Sequence, residues 1–101
     1  PKEWLEHMVD VKDSDRQAMN INSNYSKADW VAYQDMWWVL DDEAEEFCAV
    51  GIHGQVIYIN RKTDTVMVWF SSQRDAASTL APEFPVKLSA ARKVANYLAE
   101  Q

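Results

Sequence analysis

The chain has 101 residues, of which 16 are acidic and 10 are basic, so its formal net charge is −6. This length allows one domain with a modest core, and the acidic excess argues against binding to nucleic acid or to an anionic membrane surface. No apolar run reaches the roughly 20 residues of a spanning helix. Cys48 is the single cysteine, so no internal disulfide is possible, and we interpret residues 1–101 as one unit.

The first predicted element is a short helix over residues 1–9. Trp4 and Met8 lie four residues apart in it, on one helical face. A second helical turn is predicted to begin at Ser14, which is a suitable N-cap. The polar stretch 20–29 is predicted to be a loop, because Asn and Ser dominate it.

Three strand signals follow, over residues 32–40, 47–60 and 65–71, each rich in aromatic and β-branched residues. The segment Gly51–Gly54 interrupts the second run. The short connection 61–65 predicts an antiparallel hairpin between the second and third runs.

The later strand runs are apolar without alternation, as in Val56, Ile57, Tyr58 and Ile59. Continuous apolar strands are typical of sheets that are covered on both faces. One short helix at each end of the chain covers only part of such a sheet. We therefore expect the chain to be a piece of a longer protein.

The last predicted element is a helix over residues 86–99. Its apolar residues recur at spacings of three and four, which predicts one stripe facing the sheet. The stripe comprises Leu88, Ala91, Val94, Ala95 and Leu98. Lys87, Arg92 and Lys93 are assigned to the opposite side of the helix, which faces solvent. The predicted fold class is α+β: an antiparallel sheet of about three strands, with an N-terminal and a C-terminal helix packed on it.

The two glycines of the chain frame Gly51-Ile52-His53-Gly54. Glycine inside a strand indicates a bulge or a close approach to the backbone. The segment could present free N–H groups in the manner of an oxyanion hole, or it could be a plain bulge. His53 could be a general base or a hydrogen-bond donor to substrate, or a half-buried structural histidine.

Other candidate residues are interpreted as structural. His7 is assigned to the surface, Cys48 to the interior, and the acidic cluster 41–46 to a solvated turn. None of them has the spacing of a zinc or calcium site, so we expect no metal and no cofactor. Trp37 and Trp38 are neighbours on a strand, so at most one lines a given cleft, and both could be core residues.

Four segments together resemble the C-terminal end of serine beta-lactamase-related hydrolases, in the branch of class C-like esterases and nylon-oligomer (aminohexanoate-dimer) hydrolases. They are Tyr33-Gln34-Asp35-Met36-Trp37-Trp38-Val39, Val50-Gly51-Ile52-His53-Gly54-Gln55, Tyr58-Ile59-Asn60 and Val66-Met67-Val68-Trp69-Phe70-Ser71-Ser72. The resemblance implies that the chain is part of a larger beta-lactamase/transpeptidase-like fold.

The resemblance also implies roles for individual residues. The backbone N–H of Ile52 would be an oxyanion donor, and Gly51, His53 and Trp37 would lie beside the substrate. Ala49-Val50 stands where lactamases have Lys-Thr, which favours an ester or amide substrate over a beta-lactam. No Ser-x-x-Lys occurs in the chain, and no Tyr-x-Asn triplet, which carries the base in the family, is assigned in it, so the nucleophile and the base are both expected upstream.

Two other classes of function remain open at this point. The chain could be a stand-alone α+β domain that binds a protein or ligand without catalysis, through exposed aromatic residues. It could also form a structural dimer through the sheet. The expected partners are a small ester, amide or beta-lactam-like molecule, the upstream part of the same protein, and a second copy, and the sequence assigns neither cytoplasm nor periplasm.

Overall fold

The computed structural model describes residues 1–21, 30–77 and 83–101. Within them lie three helices, five strands and one turn of 3₁₀ helix. The helices are α1 (Lys2–Met8), α2 (Asp13–Ile21) and α3 (Glu83–Ala99); the strands are β1 (Ala32–Gln34), β2 (Trp37–Asp41), β3 (Glu46–Val50), β4 (Val56–Asn60) and β5 (Thr65–Trp69); the 3₁₀ turn spans Ile52–Gly54.

The five strands form one antiparallel sheet in the order β1-β2-β3-β4-β5, so each strand pairs with the next one in the chain. Residues directly opposite each other share a face of the sheet. Trp38, Cys48, Tyr58 and Met67 are opposed in this way across β2 to β5. We call their side the helix face, because α3 covers it, and the other side, which carries Val39, Phe47, Ile59 and Val66, the outer face.

The predicted α+β class with flanking helices is confirmed, but the sheet has five strands rather than about three. The predicted strand 32–40 is a hairpin that turns at Asp35 and Met36, whose φ angles are 53° and 69°. Positive φ at both central residues is the geometry of a two-residue type I′ turn. The second run is also divided, by the 3₁₀ turn, so three runs give five strands. The predicted hairpin between β4 and β5 is confirmed, with Asn60 opposite Thr65.

The main core lies between the helix face and α3. Four residues of α3 are buried there, namely Phe84, Leu88, Ala91 and Ala95, against Cys48, Val56 and Tyr58 of the sheet. Trp30 completes this core by stacking on Trp38, with ring centroids 4.3 Å apart. The apolar stripe predicted for the last helix is therefore confirmed at these central positions.

The ends and the flanks of α3 differ from the prediction. The helix begins at Glu83, so Pro85 lies in its first turn, where a missing N–H leaves no helical bond unmade. Val94 and Leu98 are exposed instead of facing the sheet. Lys87 and Arg92 were assigned to the outer side, but both side chains reach back to bond groups of the sheet region.

The outer face is covered over β1 to β3, where Val39 and Phe47 are buried. The side-chain amide of Gln34 donates to the Met8 carbonyl of α1 at 2.8 Å, and Met8 is buried. Helix α1 has seven residues, about 10 Å of length, and does not cover the far strands. Ile57, Val66 and Val68 are 39%, 63% and 53% exposed, so within the described residues this face is only partly covered at β4 and β5, as expected for one short helix at each end of the chain.

The N-terminal helices lie close to their predicted positions. Helix α1 corresponds to the helix predicted over 1–9. Helix α2 begins at Asp13, one residue before the predicted cap, and the Asp15 carboxylate accepts the Lys12 N–H at 3.0 Å. The predicted loop 20–29 is wrong at its start, because its first two residues belong to α2. Residues 22–29 lie outside the described residues.

Candidate functional site

The connection between β3 and β4 is a compact turn. Gly51 is extended, with φ −104° and ψ 168°, and its N–H donates to the Gln55 carbonyl at 2.8 Å. Between them, Ile52 opens the 3₁₀ turn, and no backbone acceptor for its N–H is found in the described part of the chain. The Ile52 side chain is 67% exposed. The Ile52 N–H thus lies outside the backbone hydrogen bonds of the described residues, and its oxyanion role stays a prediction.

The two glycines of this turn differ in backbone conformation and in the atoms that a side chain would meet. Gly54 has φ +88°, so its backbone conformation favours glycine, and a Cβ there would displace the ends of the Gln73 and Lys87 side chains. Gly51 has an ordinary φ, and the atoms nearest to a Cβ there all belong to Gln55, the closest at 3.1 Å. Of the two glycines, Gly54 alone therefore has a backbone angle that favours glycine.

His53 is half-buried and held by the segment that follows β5. Its Nδ1 lies 2.9 Å from the Gln73 carbonyl oxygen, and since a carbonyl only accepts, Nδ1 carries the proton. The His53 N–H donates to the Ala76 carbonyl at 3.2 Å. These contacts give His53 an anchoring role in the turn, and its contact with a substrate stays a prediction.

An open apolar groove of about 340 Å³ lies beside the turn. Its wall includes Gly51 and Gln55 of the turn, together with Ile57, Val68 and Phe70. The last three belong to the exposed part of the outer face, so this groove is continuous with it. Trp37 does not line the groove.

Trp37 packs on the sheet near α1 instead. Its ring meets the Phe47 ring edge-on, at 5.3 Å between centroids. Trp38 lies on the opposite face, stacked on Trp30, as strand alternation predicts. The structure thus places Trp37 two strands away from β4, and a substrate contact by Trp37 stays a prediction.

A buried polar cluster, which was not predicted, joins β3, β4 and α3. The prediction that Glu46 lies in a solvated turn is wrong, because Glu46 is only 2% exposed. Its carboxylate accepts bonds from Arg92, at 2.9 Å to Nε and 2.7 Å to Nη2, and from the Tyr58 hydroxyl. Asn60 donates to the Tyr58 oxygen at 3.3 Å. The sequence carries no signal for this cluster, because the pairing of Glu46 with Arg92 depends on where α3 packs.

This cluster decides the role of Tyr58. Tyr58-Ile59-Asn60 is a Tyr-x-Asn triplet, so the expectation that the chain holds none is wrong. Burial, and then the hydrogen bond to Glu46, raise the pKa of Tyr58 above its ordinary value. Tyr58 is also fully buried, so its hydroxyl is a structural donor and is unsuitable as a general base.

The remaining candidates are structural where the structure describes them. Burial raises the pKa of the Cys48 thiol to about 12, which makes it inert as a nucleophile. His7 is exposed as predicted, and its Nδ1 lies 2.8 Å from the Asp35 carboxylate. Within residues 1–21, 30–77 and 83–101, no three His, Cys, Asp or Glu side chains cluster in a way that could hold a metal. Over the same residues, no helix is long and apolar enough to span a membrane.

Comparison with known proteins gives one informative match. The chain is 31% identical over 72 residues to the 6-aminohexanoate-dimer hydrolase of Paenarthrobacter ureafaciens, and the aligned part is 71% of this chain and 18% of that protein. The chain thus spans less than a fifth of the length of this curated relative. No protein-family model matches, and no solved structure matches significantly. The chain is therefore distantly related to the 6-aminohexanoate-dimer hydrolase.

Proposed function

We propose that the chain forms one wall of the active-site cleft of a serine hydrolase and supplies one oxyanion donor, the Ile52 N–H. The nucleophilic serine and its base belong to a longer polypeptide, upstream of residue 1. The observation that carries the proposal is the Ile52 amide, which lies outside the strand ladder next to the apolar groove. The distant relation to a hydrolase supports the same reaction class.

In this proposal, the Ile52 N–H of the turn stabilises the negative charge that develops during the reaction. When a serine attacks an ester or amide carbonyl, the carbonyl oxygen becomes an oxyanion, and a fixed N–H pointing at it lowers the barrier. One such donor contributes about 2–4 kcal/mol. Gly51 lacks a side chain immediately before this N–H, so the substrate can approach the backbone closely.

The surroundings favour a neutral, apolar substrate segment. Ala49 and Val50 precede the turn and carry no charge that could pair with a substrate carboxylate. The groove next to the turn is lined mainly by apolar side chains, among them Ile57, Val68 and Phe70. We therefore propose an esterase or amidase that acts on an apolar acyl chain, rather than a beta-lactamase.

The decisive test removes the N–H itself. Ile52→Pro in the complete hydrolase deletes the donor at a position where proline fits, because the preceding Gly51 is extended and Ile52 is the first residue of a helical turn. Ile52→Ala is the matched control, since it keeps the N–H. We expect the proline variant to lose about 10²- to 10³-fold in kcat and the alanine variant to stay within about threefold.

Two results would contradict the proposal. One is an unchanged kcat in the proline variant, with the urea midpoint of the 101-residue chain also unchanged. The other is saturable hydrolysis of a chromogenic ester, or of the 6-aminohexanoate dimer, by the 101 residues alone, blocked by a serine-directed inhibitor. We expect no turnover by the 101 residues, because removal of the nucleophile leaves only weak residual catalysis.

A second candidate function is a non-catalytic domain that binds a partner through its exposed sheet face. The exposed residues Ile57, Val66, Val68 and Phe70 favour it, because contiguous apolar patches mark interaction sites. The hydrolase proposal expects this face to dimerise or bind an apolar dye in the isolated chain. An upstream coding sequence without a Ser-x-x-Lys motif would favour the stand-alone domain.

A further inference from the structure

The 3₁₀ turn after β3 has an unfavourable backbone conformation in addition to its internal bond from the Gly51 N–H to the Gln55 carbonyl. His53 has φ 58° and Gly54 has φ 88°, so two consecutive residues occupy the left-handed region. This conformation is unfavourable for a residue with a side chain and persists only when the surroundings impose it. Contacts from other parts of the chain must therefore fix the turn.

One set of contacts comes from the segment after β5. Gln73 donates its N–H to the His53 carbonyl at 3.0 Å, and the His53 N–H donates to the Ala76 carbonyl at 3.2 Å. The side chain of Gln55 forms a reciprocal pair with the backbone of Ser71, donating to its carbonyl and accepting its N–H. The turn and this segment are thus hydrogen-bonded to each other.

A single ammonium group from α3 bonds both the turn and the segment after β5. Lys87 Nζ donates to the Gly54 carbonyl at 3.0 Å and to the Gln73 Oε1 atom at 2.7 Å. A Cβ built on Gly54 would lie 2.8 Å from this Nζ, so the ammonium packs directly on the Gly54 backbone. Hydrogen bonds from a charged donor are stronger than neutral ones.

Helix α3 is itself fixed to the sheet one turn further on. Arg92 bonds the buried carboxylate of Glu46, the first residue of β3. The same helix therefore touches the strand at its beginning through Arg92, and the turn that follows its end through Lys87. Because α3 is anchored in this way, the Lys87 ammonium has a defined position. Its hydrogen bonds can therefore orient the peptide groups of the turn.

We propose that Lys87 is a positioning residue for the turn: by holding the Gly54 carbonyl and the Gln73 side chain together, it sets the direction of the Ile52 N–H. The functional meaning of this role rests on the proposed oxyanion donor. The role itself concerns the conformation of the turn, and it can be measured without any catalysis.

The test uses amide hydrogen exchange and ¹⁵N relaxation on the 101-residue chain. We compare Lys87→Met, which removes the ammonium but keeps the aliphatic stem, with Lys87→Arg and with Lys93→Met on the exposed side of α3. Lys87→Met is expected to speed exchange at the His53 and Gln73 amides about tenfold or more and to lower the order parameter of Ile52. Lys87→Arg is expected to restore much of the protection, and Lys93→Met to change nothing.

The reference amide is Tyr58 in β4, which reports on global stability. If Lys87→Met leaves exchange at His53 and Gln73 within twofold, or speeds Tyr58 as much as the turn, the proposal is wrong. If Lys87→Met does not fold, the variant Gln73→Glu is used instead. A carboxylate that pairs with the Lys87 ammonium should slow amide exchange at His53, and an unchanged or faster exchange rate would overturn the proposal. An Ile52→Pro hydrolase with unchanged kcat would refute the oxyanion donor and leave this result intact, so the two failures are distinguishable.

Discussion

The two faces of the sheet carry similar amounts of apolar sequence but have different surroundings. On the helix face, Tyr58 and Cys48 are fully buried under α3, and the buried Glu46 has its charge paired. On the outer face of the same strands, Ile57 and Val68 are largely exposed. The neighbours Ile57 and Tyr58 differ only in the side of the strand from which they project.

This difference teaches that burial here is decided by which helix reaches which part of the sheet. Helix α3 has 17 residues, about 25 Å of length, and it follows the helix face. Helix α1 is short; its Leu5 carbonyl accepts a bond from Arg61 after β4, but the helix leaves Ile57, Val66 and Val68 exposed. The candidate groove lies on the uncovered side, where a substrate or further protein can approach.

The largest effect is expected from a cavity under α3. Leu88→Ala removes a side chain that is buried against the helix face and should lower the free energy of unfolding by about 3–4 kcal/mol. The matched control is Val94→Ala on the same helix, which is exposed and should cost less than about 1 kcal/mol. Urea denaturation measures both variants, and equal losses would mean that the two faces do not differ in packing.

A smaller loss is expected from the buried carboxylate. Glu46→Gln keeps the shape but removes the charge that pairs with Arg92, so the free energy of unfolding should fall by about 2 kcal/mol. The loss is moderate because the Arg92 side chain is partly exposed and can recover water. Glu45→Gln is the control, since Glu45 pairs with Arg61 near the surface and should cost less than about 0.5 kcal/mol. A Glu46 variant as stable as the control would show that the cluster does not stabilise the fold.

The helix face should also make the fold sensitive to alkali. The pKa of Cys48 is raised from its ordinary 9.0 to about 12 in the fold, by burial and then by Glu46. The stability that this thiol contributes is therefore complete below pH 9 and is lost as the pH rises from 9 toward 12. The slope is about 1.4 kcal/mol per pH unit. Urea midpoints at pH 8, 9 and 10 should fall in the wild type and fall less in Cys48→Ala; parallel curves would contradict the shift.

The smallest effect on stability is expected on the outer face. Val68→Thr exchanges one exposed methyl group for a hydroxyl, so the free energy of unfolding should change by less than about 0.5 kcal/mol. Self-association should nevertheless weaken, because the exposed patch loses apolar area. Sedimentation and urea denaturation of the same variant measure the two effects. A stability loss comparable to that of Leu88→Ala would show that this face is packed.

Local patterns were sufficient for part of the fold and of the candidate site. The positions of α1, the β4–β5 hairpin and the central stripe of α3 follow from residue spacing. The hairpin at Asp35 and Met36 was missed, because it lacks the glycine that usually marks a two-residue turn. The glycine-framed turn was found from its composition, whereas Lys87 and Gln73, which hold it, are 33 and 19 residues away from Gly54 in the chain.

The sequence by itself determined the class of the fold and the location of the candidate turn, because helical periodicity, strand-forming runs and paired glycines act over a few residues. Only the tertiary structure decided that Glu46 is buried, that Tyr58 is a structural donor, and that half of the outer face stays open. Each of these depends on where α1 and α3 pack, and hence on contacts between residues far apart in the chain. A charged residue at a strand end is equally compatible with water and with a buried arginine until the helix that carries the arginine is in place.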